Sequence, residues 1–130
     1  CQTILPKLKS DLLDIFIACC DKKLNETKIK WHDKKSLCIV LCSNGYPDSF
    51  QKDVLINNIN KIQFVKDNYC YHGSTNKNKD KVYAVGGRVL SFVSLSDDFS
   101  KSRAQIFKSI QLLNWGNGFF RKDIGHKVID

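Results

Sequence analysis

The 130-residue chain has no methionine, only two prolines, two tryptophans and three histidines, and its basic residues are 18 lysines against three arginines. Each scarcity excludes something. A chain that opens on Cys1 without any methionine reads as a piece of a longer protein, with a secretory precursor cut ahead of Cys1 as the alternative. Prolines at positions 6 and 47 alone rule out a proline-rich linker. No Cys-x-x-Cys pair occurs and His32, His72 and His126 are scattered, which argues against a structural zinc site, where ligands come in close pairs. The longest apolar run, "LLDIFIACC", is interrupted by Asp14 and falls far short of the ~20 residues that span a bilayer. No internal repeat and no targeting segment is recognisable within these residues, so no membrane partner is expected.

What is present is the material of one domain. At 42% hydrophobic residues the chain can bury a single core. Six cysteines would permit three disulfides. Cys19 and Cys20, however, are adjacent in an apolar run, and Cys38 and Cys42 share a strand-like segment, so they read as free thiols of a reducing cytoplasm. The net charge of +8 coincides with ten asparagines and abundant isoleucine, a composition that AT-rich codons produce. The charge is therefore weak evidence for a polyanionic partner.

After Pro6, the apolar residues Leu8, Leu12, Ile15, Phe16 and Cys19 recur at helical spacing, with Leu13, Ile17 and Cys20 beside them. So wide an arc predicts a helix sandwiched between two bodies. Residues 21 to 30 read as a polar connection followed by a short strand. "SLCIVLCS" predicts a buried strand that stops at the turn "NGYPDS". Residues 54 to 66 are a weaker mixed stretch. "NYCYHGS" alternates as a strand does, "TNKNKDK" reads as a solvated hairpin loop, and "VYAVGGRVLSFVSLS" as a strand broken by a glycine pair. Ser96 or Asp97 is positioned to cap a last helix bearing Phe99, Arg103, Ile106, Phe107, Ile110 and Leu113. Without alternating βαβ units, the fold class expected is α+β: an antiparallel sheet with flanking helices.

Four places offer chemistry. The pair Gly86-Gly87 before Arg88 marks a β-bulge or a close backbone approach. The turn at Ser43 to Pro47 is an ordinary turn, or a set of backbone N–H groups with Tyr46 beside them. "FFRKDIGH" places Arg121, Lys122, Asp123 and Gly125 together: a fork donor and a point charge suited to a phosphate monoester, with Asp123 able to orient one of them. The flanking Phe119, Phe120 and Ile124 pin that segment, which a free tail would not need. Cys70 and His72 share a strand face, but no third group is visible to complete a Cys/His hydrolase.

Taken together, "CQTILPKLKSDLLDIFIACCDKKL", "LCSNGYPDSF", "YHGST", "VGGRVLSFVSLSDD" and "FFRKDIGHKVID" resemble, collinearly and end to end, the C-terminal third of the phosphoribosylamine-glycine ligase family. The chain departs from that family's pattern at Asn44, at Gly73-Ser74 and at Ala84-Val85. The resemblance implies an ATP-grasp ligase of purine synthesis. In such an enzyme ATP converts glycine to an acyl phosphate, which the amine of 5-phosphoribosylamine attacks, with Mg²⁺ and basic groups neutralising the transferring phosphoryl group. It implies that residues 1–24 end the ATP-grasp domain and that 25–130 form the C-terminal domain. It places the ATP and Mg²⁺ ligands upstream, so the fragment alone is expected to be inactive. It also implies a cytoplasmic monomer acting on glycine and 5-phosphoribosylamine, with no nucleic acid bound. The substrate-binding residues implied are Arg121, Lys122, Asp123 and Gly125, together with Gly45, Tyr46, Pro47, Gly86, Gly87 and Arg88; no catalytic or metal-ligating residue is expected in this chain. The rival reading from another class is a stand-alone basic nucleic-acid-binding module, which would need lysines gathered on one face among stacking aromatics.

Overall fold

The computed structural model describes residues 1–62 and 66–129. Seven strands and two α-helices follow in order: α1 (Leu12–Cys20), β1 (Lys35–Ser43), β2 (Val54–Ile56), β3 (Asn68–His72), β4 (Thr75–Asn78), β5 (Lys81–Ala84), β6 (Arg88–Ser96), α2 (Phe99–Gln111) and β7 (Gly118–Phe119). They form a four-stranded sheet in the order β3-β6-β1-β7 and a three-stranded sheet in the order β2-β5-β4, and all their pairings are antiparallel. This is the α+β arrangement that the sequence implies.

Period-two alternation organises the larger sheet. In β1, Leu37, Ile39, Leu41 and Ser43 are buried while the residues between them are half-buried. Ile39 faces Phe92 and Leu41 faces Leu90 across the β1–β6 register, and α2 covers that side with Ile106. Buried serines join helix to sheet: Ser94 Oγ donates to Gln105 Oε1 at 2.7 Å, and Ser96 Oγ lies 2.8 Å from Ser102 Oγ. Each fully buried Phe, Ile or Leu of this layer contributes about 1.5–3 kcal/mol relative to exposure.

Several local expectations are corrected. Pro6 lies in a 3₁₀ turn, Leu5–Lys7, and the first helix starts only at Leu12, where Asp11 Oδ1 accepts the Leu13 N–H at 2.7 Å. Residues 7–10 are drawn into pairing with 30–32 instead: the N–H of Lys9 donates to the Lys30 carbonyl, His32 donates back to Lys7, and Ser10 Oγ accepts from Lys30. That pairing takes Leu8 out of the helix and leaves an isolated bridge, Leu8 with Trp31, where a short strand was expected. The second helix is capped by Asp98, whose carboxylate reaches the Lys101 N–H; Ser96 is occupied with Ser102. "TNKNKDK" is mostly strand, because Lys77 and Asn78 pair with Val82 and Lys81 across a tight turn. Within residues 54 to 66, β2 and a 3₁₀ turn, Ile59–Lys61, form, and 63–65 lie outside the described residues.

The broken strand splits between the sheets. Ala84 is the last residue of β5 in the smaller sheet, and Arg88 is the first of β6 in the larger one. The glycine pair is thus the crossing point between sheets. A register shift does occur beside it, between Leu41 and Cys42 opposite Leu90 and Arg88.

Candidate functional site

The crossing at 86–87 is packed too closely for side chains. A Cβ on Gly86 would lie 2.5 Å from Ser74 Cβ, and one on Gly87 would lie 2.1 Å from the Tyr46 ring. Tyr46 reaches that position from the turn after β1. There Gly45 takes φ +93° and approaches the Ser49 carbonyl so closely that a Cβ would stand 2.1 Å from it, and a cis bond joins Tyr46 to Pro47. Ser74 arrives from the short link between β3 of the larger sheet and β4 of the smaller one, which is tied down where Gly73 and Ser74 donate to the carbonyls of Val89 and Arg88. On the third side, the last residue of β1 clamps the crossing: Ser43 Oγ donates to the Gly86 carbonyl and the Ser43 N–H to the Gly87 carbonyl, each at 2.8 Å.

These elements enclose a cavity of about 500 Å³, within the range of small-molecule sites. Tyr46, Gly73, Ser74, Gly87, Arg88 and Ser91 line it, with Gln2 and Val40 completing the wall. The lining combines one cation, hydroxyl groups and exposed backbone. That chemistry suits a polar ligand rich in oxygen rather than a hydrocarbon.

The terminal cluster does not line this cavity. β7 pairs with the end of β1, Cys42 opposite Phe119 and Ser43 opposite Gly118, and the chain beyond it is held at three points. Phe120 packs on Phe107 with ring centroids 5.5 Å apart. Arg103, stacked over the Phe107 ring at 4.5 Å, donates to the Lys122 carbonyl. Gly125 turns at φ +87° close to Leu37. Arg121 grips Asp123 with both edges of a fork, Nε to Oδ1 at 3.1 Å and Nη2 to Oδ2 at 2.6 Å. Those hydrogen bonds hold the Asp123 carboxyl below its ordinary range and raise Arg121. A depressed carboxyl is lost only as pH falls through its folded value, so the pair is intact at neutral pH and opens on acidification. His126 Nδ1 lies 2.7 Å from the Asp123 carbonyl, to which it donates.

The implied site residues therefore fall into two groups. Tyr46, Gly87 and Arg88 line the cavity, with Gly45, Pro47 and Gly86 shaping its turns. Arg121, Lys122, Asp123 and Gly125 do not line it, and the Arg121 side chain is 70% exposed. Ser74, Gly73 and Gln2 were not singled out from the sequence as site residues. The one signal for Ser74 was its place in the "HGS" strand end, where the chain passes from the larger sheet to the smaller one. Cys70 and His72 do not form a catalytic pair. Burial pushes the Cys70 thiol up to about 12, keeping it protonated at neutral pH and unreactive, while His72 Nδ1 lies 2.9 Å from Thr75 Oγ1.

A family model described as "Phosphoribosylglycinamide synthetase, C domain" matches residues 36–127. Curated relatives include the phosphoribosylamine-glycine ligase of Fusobacterium nucleatum, 34% identical over 95% of this chain and 29% of its own length. The chloroplastic phosphoribosylamine-glycine ligase of Arabidopsis thaliana is 32% identical over 99% of this chain and 25% of its own length. A crystal structure of phosphoribosylamine-glycine ligase from Thermotoga maritima superposes with a TM-score of 0.63 at 18% identity, covering 85% of this chain and 27% of that one. The chain thus spans roughly a quarter to a third of the length of these relatives.

Proposed function

The chain belongs to the phosphoribosylglycinamide synthetase C-domain family, and from that premise we propose that it forms the phosphoribosylamine-binding wall of a phosphoribosylamine-glycine ligase. The observation that supports this most is the convergence of three separate segments, at 46, 73–74 and 87–88, on one cavity with a single arginine. Its serine and tyrosine hydroxyls, backbone and Arg88 suit the hydroxyls of a ribose. Arg121 and Lys122 supply donors for the substrate phosphate, and Asp123 orients the Arg121 fork.

In such a ligase ATP, with Mg²⁺, would supply the phosphoryl group that activates the glycine carboxylate for attack by the amine of the bound substrate. Among the described residues no group of three His, Cys, Asp or Glu could hold a metal ion. In this proposal the ATP and Mg²⁺ ligands belong to other parts of the ligase. The contribution of this chain is to bind and orient the phosphoribosyl substrate, which lowers the entropic part of the barrier. In this proposal residues 1–24 end the ATP-grasp domain and 25–130 form the C-terminal domain. α1 has no buried residue and exposes Leu13, Phe16 and Ile17, an apolar face that the ATP-grasp domain would cover. The ligase would act as a cytoplasmic monomer.

In the ligase containing this chain, Arg121→Ala is expected to raise the KM for phosphoribosylamine about tenfold and to leave that for ATP nearly unchanged. A hydrogen bond from a charged donor to a phosphate is stronger than a neutral one, and the exposure of Arg121 keeps the effect modest. Equal shifts in the two KM values would remove Arg121 from the substrate site.

A further inference from the structure

Ser43 is completely buried and does not line the cavity, yet it holds both carbonyls of the glycine crossing. The Gly86–Gly87 peptide is trans, so its N–H points opposite to its C=O. With the Gly86 carbonyl aimed at Ser43 Oγ, the Gly87 N–H is turned away from Ser43, and Gly87 itself lines the cavity. Among the described residues, no acceptor is paired with that N–H. A backbone donor without a protein partner, at the wall of a polar cavity, is available to a ligand oxygen.

We propose that Ser43 is a positioning residue: by fixing the Gly86 and Gly87 carbonyls it presents the Gly87 N–H to a hydroxyl oxygen of the ribose, beside Arg88. The inference rests on the reading of the cavity as the ribose site. It adds a specificity element, because the donor serves the sugar and not the phosphate. A hydroxyl on residue 43 is therefore required although it never touches substrate.

The test is titration of the ligase containing this chain, isotope-labelled at glycine, with ribose 5-phosphate and, separately, with inorganic phosphate. In the wild type the Gly87 amide resonance is expected to move with ribose 5-phosphate and stay still with inorganic phosphate; no movement with the sugar phosphate overturns the proposal. Ser43→Ala is expected to weaken ribose 5-phosphate roughly three- to tenfold, the effect of one neutral hydrogen bond, without changing the affinity for inorganic phosphate. Ser43→Thr, which keeps the hydroxyl, should restore the ratio of the two affinities. A merely structural serine would lower the melting temperature and leave that ratio unchanged. Arg88→Ala separates the two levels of the argument. If it weakens ribose 5-phosphate and Ser43→Ala does not, the role of Ser43 fails alone; if neither matters, the ribose site itself is wrong. The Gly87 resonance decides the matter even if Ser43→Ala does not fold.

Discussion

Gly87→Ala is expected to lower kcat/KM for phosphoribosylamine on the order of a hundredfold, the scale that a 1 Å misplacement in a binding site produces. The new methyl would sit 2.1 Å from Tyr46 Cδ2 and 2.6 Å from Cε2, closer than any real contact. Residue 87 cannot retreat, since its carbonyl is bonded to the Ser43 N–H and Arg88 is already in register with Cys42. The ring must therefore swing out, and with it goes one wall of the cavity. The fold should survive, because overpacking of this kind costs about 1–3 kcal/mol. Steady-state kinetics beside a urea melt checks both parts. Unchanged kinetics would mean that Tyr46 and Gly87 do not border the substrate.

The second large effect is on stability. Phe92 is 1% exposed and faces Ile39 on one side and Cys70 on the other, so its ring is shared by three strands beneath α2. Phe92→Ala removes that ring from a layer with little freedom to collapse and is expected to cost about 3–5 kcal/mol. That is a large part of the ~5–15 kcal/mol of a typical domain. The urea midpoint should fall sharply while the slope stays the same. A loss under about 1 kcal/mol would place the ring outside the core.

The elements that could be read from the sequence are those whose signal is local. "SLCIVLCS" alternates because one face meets α2 and the other is half-covered. The 99–111 helix carries its apolar residues at three- and four-residue spacing, and the turn at Gly45 carries the residue that a φ of +93° favours. The parts that could not be read depend on distant partners. Leu8 has perfect helical spacing, and only its pairing with Trp31 takes it out of the helix. The glycine pair looked like a flaw in one strand because nothing local says that residues 81–84 and 88–96 join different sheets.

The same holds for the site. Arg88, Tyr46 and the glycines were recognisable by type and motif. Ser43, in contrast, is one serine among many, and its clamp on Gly86 spans 43 positions of sequence. Arg103 seemed a plain helical residue; its bond to the Lys122 carbonyl and its stacking on Phe107 appear only once α2 and the terminal segment are side by side. Arg121 and Asp123 were legible as a pair because they are neighbours, whereas their separation from the cavity lining was not.

The most direct measurement is of Arg88→Ala in the ligase containing this chain, with the KM values for phosphoribosylamine and ATP determined in parallel. Arg88 is the one cation in the cavity lining. If the cavity holds the phosphoribosyl substrate, the KM for phosphoribosylamine rises at least tenfold, as loss of a hydrogen bond from a charged donor requires, while that for ATP stays within about twofold. A rise for ATP alone, or no change in either, would contradict the account.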